Sequence, residues 1–192
     1  VFGGGDDIYQ SNKLFKELFE SRRNHLNEKE FIKARVFDML IGDWSKHESN
    51  WKWARYDRED GYFFRPIPRD RDHTFSLQDG IIPWLANRSW AVKNIETFSY
   101  DLKKKELRSL MYQAIHMDRF LSTTGTRENW LAAARSIQEN ISDEEIDQAV
   151  LKMPLEIQEI SGKTIALKLK SRVKQLEKYA GWYYDYLAEY VD

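Results

Sequence analysis

The feature that most constrains this chain is a pair of apolar runs separated by a short polar turn. Trp51 and Trp53, then Tyr62 and Phe64, alternate with polar or small residues. A period of two belongs to half-buried β-strands rather than to helices. Between the runs lies Asp57-Arg58-Glu59-Asp60-Gly61, a turn in which Gly61 supplies the positive φ that such turns often need. The two runs therefore predict a β-hairpin, and the hairpin has a consequence for what flanks it. Asn50 precedes the first run, and Asp70 and Asp72 follow the second. Paired strands bring the polar knots 43–50 and 70–72 to the same end.

The rest of the chain reads as helix. Ser11 is placed to cap a helix carrying Leu14, Phe15, Leu18 and Phe19 at helical spacing. Asn27 caps a second, with Glu30 in the capping-box position and Phe31, Ala34, Phe37 (or Asp38) and Ile41 on its apolar face. This helix runs into Gly42-Asp43 and so delivers the first knot. Beyond the hairpin, helices are predicted over 76–86, where Gly80 and Pro83 interrupt, over 101–114, and over 126–140. Ser142-Asp143-Glu144-Glu145 marks the start of a helix ending near Met153-Pro154. Pro154 starts a short helix through Ile160 that Gly162 closes, and a last helix spans 164–190. Gly3-Gly4-Gly5 lacks the Lys and Ser/Thr of a phosphate loop and reads as an ordinary loop. The expected fold is mainly α with one short β-hairpin (α+β). It forms a single domain or domain fragment over 1–192: N-terminal helices 1–42, the hairpin with its polar loops 43–75, and a helical bundle 76–192.

Composition narrows the partners. With 30 basic and 31 acidic residues the net charge is -1, so no overall field favours nucleic acid or an anionic membrane. No apolar run approaches the ~20 residues of a membrane helix. The chain has no Cys, which excludes disulfides and thiolate metal sites, and His25, His73 and His116 are too scattered to suggest zinc. It opens at Val1 without Met and reads as a piece of a longer protein.

Read together, the polar knots have a chemical logic. An Asp in a loop after a helix can act as a general base. An Asn several residues on, with one or two Asp beyond a hairpin, can hold Mg²⁺ through oxygen ligands. Base, then Asn, then metal-binding Asp is the layout of protein-kinase-type phosphoryl transfer.

Residues 35–47, RVFDMLIGDWSKH, with Trp51-Lys52-Trp53 and Pro66-Ile67-Pro68-Arg69-Asp70-Arg71-Asp72, resemble a region of large Bacteroidetes envelope proteins. The likeness extends to the FGG-D-D opening, Asp118-Arg119-Phe120-Leu121, Ile141-Ser142-Asp143, Ala149-Val150 with Met153-Pro154, and Tyr183-Tyr184. It implies a periplasmic or outer-membrane-associated location and a parent protein that often continues into a BamA-like barrel. More distantly, the IG-D-x-x-x-H-x-x-N pattern followed by P-x-D-x-D is similar to atypical kinases of the CotH and HipA types, and implies the helical C-terminal lobe of a kinase-like fold. Carried over onto this chain, that resemblance puts Asn50 and Asp70 or Asp72 on metal. The base position, two residues before His47, holds Ser45, whose hydroxyl does not accept a proton as a carboxylate does; Asp43 is the substitute. The Gly-rich loop and Lys of a nucleotide-holding lobe are not visible.

Plain structural roles stand beside these. His47 pins a loop, the three Trp pack, Arg69 and Arg71 form ion pairs with Asp70 and Asp72, Arg35 and Asp38 form a buried pair bracing the loop, and Asp118-Arg119 is a helix-start charge pair without function. Two functions are therefore expected. One is a degenerate kinase-like domain that binds a protein or glycan partner without catalysis. The other is a phosphotransferase using Mg²⁺ and ATP, with Asn50, Asp70 and Asp72 on metal and Asp43, in place of Ser45, as a poor base. Ser45, the missing nucleotide lobe and a periplasm without ATP favour the first.

Overall fold

A computed structural model describes residues 4–76 and 97–189. Gly3, the predicted helix over 76–86 beyond Ser76, and Tyr190 at the end of the predicted last helix lie outside these residues.

The hairpin forms where the alternation places it. Strands β3 (Trp51–Arg58) and β4 (Gly61–Pro68) pair antiparallel from Trp51 opposite Pro68 to Arg58 opposite Gly61, leaving Glu59 and Asp60 as the turn. Gly61 takes the positive φ (154) expected of it, and glycine is required there for a second reason. A Cβ there would stand 2.5 Å from the Arg23 carbonyl oxygen, because the preceding loop runs directly against it. Trp51, Trp53 and Phe64 point to one face of the pair and are wholly buried.

The hairpin is not alone. It is the centre of a four-stranded sheet of order β1-β3-β4-β2, which the sequence did not announce. Strand β1 (Asp7–Gln10) pairs antiparallel with β3, and β2 (His25–Leu26) pairs parallel with β4. Elements of four and two residues are too short for a period of two to show.

Between these edge strands, helix α1 (Ser11–Glu20) leaves Ser11 without its predicted capping role. The Ser11 hydroxyl donates to the Glu48 carbonyl (2.5 Å) and accepts the Trp53 indole N–H (3.0 Å), tying α1 to the hairpin. Helix α2 (Glu28–Ile41) is capped as predicted, the Asn27 side chain accepting the Glu30 N–H at 3.2 Å. The Glu30 carboxylate, however, pairs with Arg65 rather than completing a capping box. Helix α2 is buried nearly all round. Phe31 enters a core with Tyr9, Leu14, Trp51, Trp53, Phe64 and Met117, whereas Ile32, Val36, Met39 and Leu40 enter a larger helical core.

That larger core is built by α3 (Lys104–Leu110), α4 (Ile115–Leu121), α5 (Arg127–Glu139), α6 (Asp143–Val150), α7 (Lys163–Lys174) and α8 (Leu176–Ala188). Thr126 and Ser142 cap α5 and α6 by accepting the N–H groups of Asn129 and Glu145. Trp130, Ala133, Ala134 and Ile137 line the buried face of α5 as their spacing predicts. Three boundaries differ. The helix predicted over 101–114 runs only from Lys104 to Leu110 and is followed by a 3-10 turn, Tyr112–Ala114. Gly162 does not close a helix: its φ is -54, and Leu155–Ile157 passes through a π-helical turn, Gln158–Gly162, straight into α7. The predicted last helix is in fact two, broken at Gln175.

Helix α2 ends at Gly42, in the left-handed conformation (φ 72) that glycine adopts at little cost. A Cβ there would also stand 2.9 Å from the Phe98 ring. Gly42→Ala is expected to cost about 1–3 kcal/mol, the scale of a residue held in a sparsely populated region. Urea unfolding of the two proteins measures it, and an unchanged midpoint would show that Phe98 and the backbone yield freely.

Candidate functional site

The register of the hairpin sets the site. With Trp51 opposite Pro68, the chain before β3 meets the chain after β4, and the Arg69 N–H donates to the Asn50 carbonyl at 2.8 Å. The Asn50 side chain then bridges both knots. Its Nδ2 donates to Asp70 Oδ2 (2.9 Å), and its Oδ1 accepts the His47 N–H (3.1 Å). Asp70 sits at φ 54, a left-handed conformation that Asp and Asn tolerate better than most side chains.

Lys46 occupies the middle. Its ammonium donates to the carbonyls of Arg69 (2.6 Å) and Asp70 (3.1 Å) and lies 2.9 Å from Asp43 Oδ2. That last contact lies off the hydrogen-bonding direction, so Oδ2 is held by charge alone. The other oxygen of Asp43 accepts the N–H (3.3 Å) and the hydroxyl (3.2 Å) of Ser45. Asp43 and Lys46 are both buried, and Ser45 and Asn50 are nearly so. Asp43, Ser45, Asn50 and Asp70 therefore form one cluster around Lys46. Asp72 is outside it: its side chain is 68% exposed and pairs with His73 Nδ1 at 2.9 Å. His47 takes a local role, its Nδ1 against the Ser49 hydroxyl (2.9 Å). Lys46 was not singled out in the sequence. Its spacing of three from Asp43, in a loop that the hairpin must fold back upon, was the available signal.

A second polar system lies beneath the first. Arg71 Nε and Nη2 donate to Asp38 Oδ1 at 3.0 and 2.9 Å, and Arg35 Nη1 donates to Asp38 Oδ2 at 2.6 Å. Arg35 Nε reaches both oxygens of Asp118 at 2.9 Å, and the Tyr183 hydroxyl donates to Asp118. Arg35, Asp38, Asp118 and Tyr183 are wholly buried. Burial alone would push the Arg35 guanidinium down, but the charges of Asp118 and Asp38 overcome it and hold it above its ordinary value. Burial raises the Asp118 carboxyl, with Arg35 and Tyr183 opposing, and burial together with Asp118 raises the Tyr183 hydroxyl well above its ordinary value. The expected Arg35–Asp38 pair is present, but Arg71 pairs with Asp38 instead of its sequence neighbours. Asp118, read as a helix-start charge, is a buried anchor.

The C-terminus of α2 is held from the other side by Arg172, also buried. It donates to the carbonyls of Met39 (3.1 Å) and Ser99 (2.8 Å) and lies over the Phe98 ring at 4.2 Å. Burial pushes this guanidinium down to about 10. Helix-end carbonyls and an aromatic face offset that penalty.

Chemically, the cluster's polar groups are engaged with one another, Asp43 Oδ2 through the charge of Lys46 alone. Asn50 turns its NH₂, a donor, toward Asp70, and its oxygen already accepts a backbone N–H. No group of three or more His, Asp or Glu residues among the described residues is placed to hold a metal ion. Among the same residues, no helix is long and apolar enough to cross a membrane. Comparison with protein-family models, with curated proteins and with solved structures finds no match to this chain.

Proposed function

We propose that this chain is a non-catalytic interaction domain, a degenerate kinase-like domain of a bacterial envelope protein in which the phosphotransfer-type cluster serves as a latch. The observation that carries this reading is the Lys46 ammonium 2.9 Å from Asp43, at full burial. That ammonium occupies the carboxylate in a buried ion pair, so the carboxylate is engaged inside the protein rather than open to a substrate hydroxyl. Ser45 points its hydroxyl at the same carboxylate and cannot replace it as a base. The residues of a catalytic centre are thus engaged with one another, and Lys46 and Asn50 join the two ends of the hairpin. In this reading the domain binds a protein or glycan partner in the periplasm or at the outer membrane, beside a barrel supplied by its parent protein.

A second reading, a phosphotransferase using Mg²⁺ and ATP, is favoured by the meeting of Asn50 and Asp70 at 2.9 Å. Metal binding there requires the Asn50 amide to turn over and release the His47 N–H. Thermal-shift titrations with Mg²⁺, Mn²⁺ and ATP, on this chain and on Asp70→Ala and Asp72→Ala, separate the two. A ligand at about 100 times its dissociation constant stabilises by about 2.7 kcal/mol, a readily measured shift. The interaction-domain reading expects no shift with any of the three ligands. A shift that Asp70→Ala abolishes would replace it with the second reading, and Ser45→Asp would then be tested for restored transfer.

A further inference from the structure

Two cavities share a wall. One, of about 300 Å³, lies among Phe37 and Leu40 of α2, Ile146 and Val150 of α6, and Leu169 of α7. The other, of about 230 Å³, lies among Phe98, Ile157 and Ile165. Phe75 and Met153 line both and so form the wall between them. Packed interiors hold few voids larger than a water molecule, and an apolar hollow stays dry and takes up apolar molecules. Phe75 is held there under strain. Its φ is 57, a left-handed value rare for a bulky side chain, and such outliers cluster at ligand clamps. Its N–H donates to the Ile41 carbonyl (3.3 Å), and its ring meets the Phe98 ring edge-on at 5.1 Å.

Their polar groups give the two cavities different character. In the larger, Asn140 donates to the Ser136 carbonyl (2.8 Å) and Glu145 accepts the Ser142 N–H (2.8 Å), so both serve the turn between α5 and α6. In the smaller, the buried Lys168 ammonium donates to the Phe98 carbonyl at 2.6 Å, and Ser161 and Thr164 line the same space. Among the described residues, no carboxylate lines this cavity. One turn further along α7, buried Arg172 lies over the Phe98 ring at 4.2 Å and donates only to carbonyls. Two buried cations at one end of an apolar space favour a negative group there. We infer that the paired cavities bind a medium-chain fatty acid that passes Phe75, its alkyl chain in the larger cavity and its carboxylate at the Lys168 end. A mostly apolar space with a few convergent polar groups is the usual form of a small-molecule site. Neither Asp43 nor Lys46 lines it.

Isothermal titration calorimetry on the whole chain compares decanoate, decan-1-ol and butanoate. Decanoate is expected to bind about tenfold or more tightly than either, since butanoate lacks the methylene groups that fill the larger cavity and decan-1-ol lacks the charge. Its binding is expected to show the negative heat-capacity change of apolar burial. Ala149 and Thr164 are exposed residues that line the larger and the smaller cavity, so Ala149→Phe and Thr164→Phe narrow each in turn, and circular dichroism confirms that helix content is kept. Each is expected to weaken decanoate about tenfold. Lys168→Gln is expected to erase the preference for decanoate over decan-1-ol. No binding of decanoate, equal binding of either comparison ligand, or full affinity in either Phe variant would overturn the inference. A preference for decanoate that survives Lys168→Gln would overturn it as well, by removing the carboxylate from the Lys168 end.

Discussion

Arg35→Met is expected to lower the unfolding free energy by about 3–5 kcal/mol, the cost of removing one partner from a buried ion pair. Arg35 is the cation between two wholly buried carboxylates, and Arg71 compensates only Asp38. Among the described residues, Asp118 would keep the Tyr183 hydroxyl and no ion-pair partner. The loss has a pH signature. Burial already raises Asp118 above its ordinary carboxylate value of 3.8, and Arg35 opposes that rise. Without Arg35 the folded-state pKa of Asp118 climbs further above the unfolded value. The penalty is then fully present above the folded pKa and absent below the unfolded one, so the gap from the unaltered protein narrows as pH falls from neutrality. Urea unfolding at neutral and mildly acidic pH measures both effects. A gap that widens in acid would show that Asp118 is not the group left uncompensated.

Lys46→Met is expected to cost a similar ~3–5 kcal/mol, by a different route. The substitution keeps the aliphatic stem but leaves the Asp43 carboxylate buried without its cation. It also leaves the Arg69 and Asp70 carbonyls without a donor. The pair Asp43→Asn with Lys46→Met removes both charges at once, and is expected to recover a large part of the loss, since a double neutral replacement of a buried pair is often tolerated. A double-mutant cycle by chemical denaturation tests this. If Lys46→Met alone falls within 0.5 kcal/mol of the unaltered protein, as surface substitutions do, the latch is not structural.

Much of this was legible before the fold. The alternation of Trp51, Trp53, Tyr62 and Phe64 encodes the hairpin directly, and from the hairpin follows the meeting of Asn50 with Asp70. Ser142 and Asn27 announce their helices because a capping side chain acts within four residues. What was not legible depends on groups far apart in the chain. Asp118 looks like any charge near a helix start until Arg35 and Tyr183 arrive from other helices. Asp70 and Asp72 are equivalent in sequence, yet the left-handed turn at Asp70 directs one to Asn50 and leaves the other with His73. Gly162 reads as a stop, but it sits inside a continuous helical passage, where a Cβ would stand 3.1 Å from the Val150 side chain. Local chemistry is written locally. The choice among polar partners is not.

Helix α2 places Phe31 in the aromatic core beneath the sheet and Ile32, Val36, Met39 and Leu40 in the helical core, with Arg35 bonded to Asp118 between them. Neither half can come apart without uncovering the same helix. Sheet and bundle therefore form one cooperative unit: slowly exchanging amides of β3 and of α5 should share a single opening free energy, and loss of either core should melt the other with it.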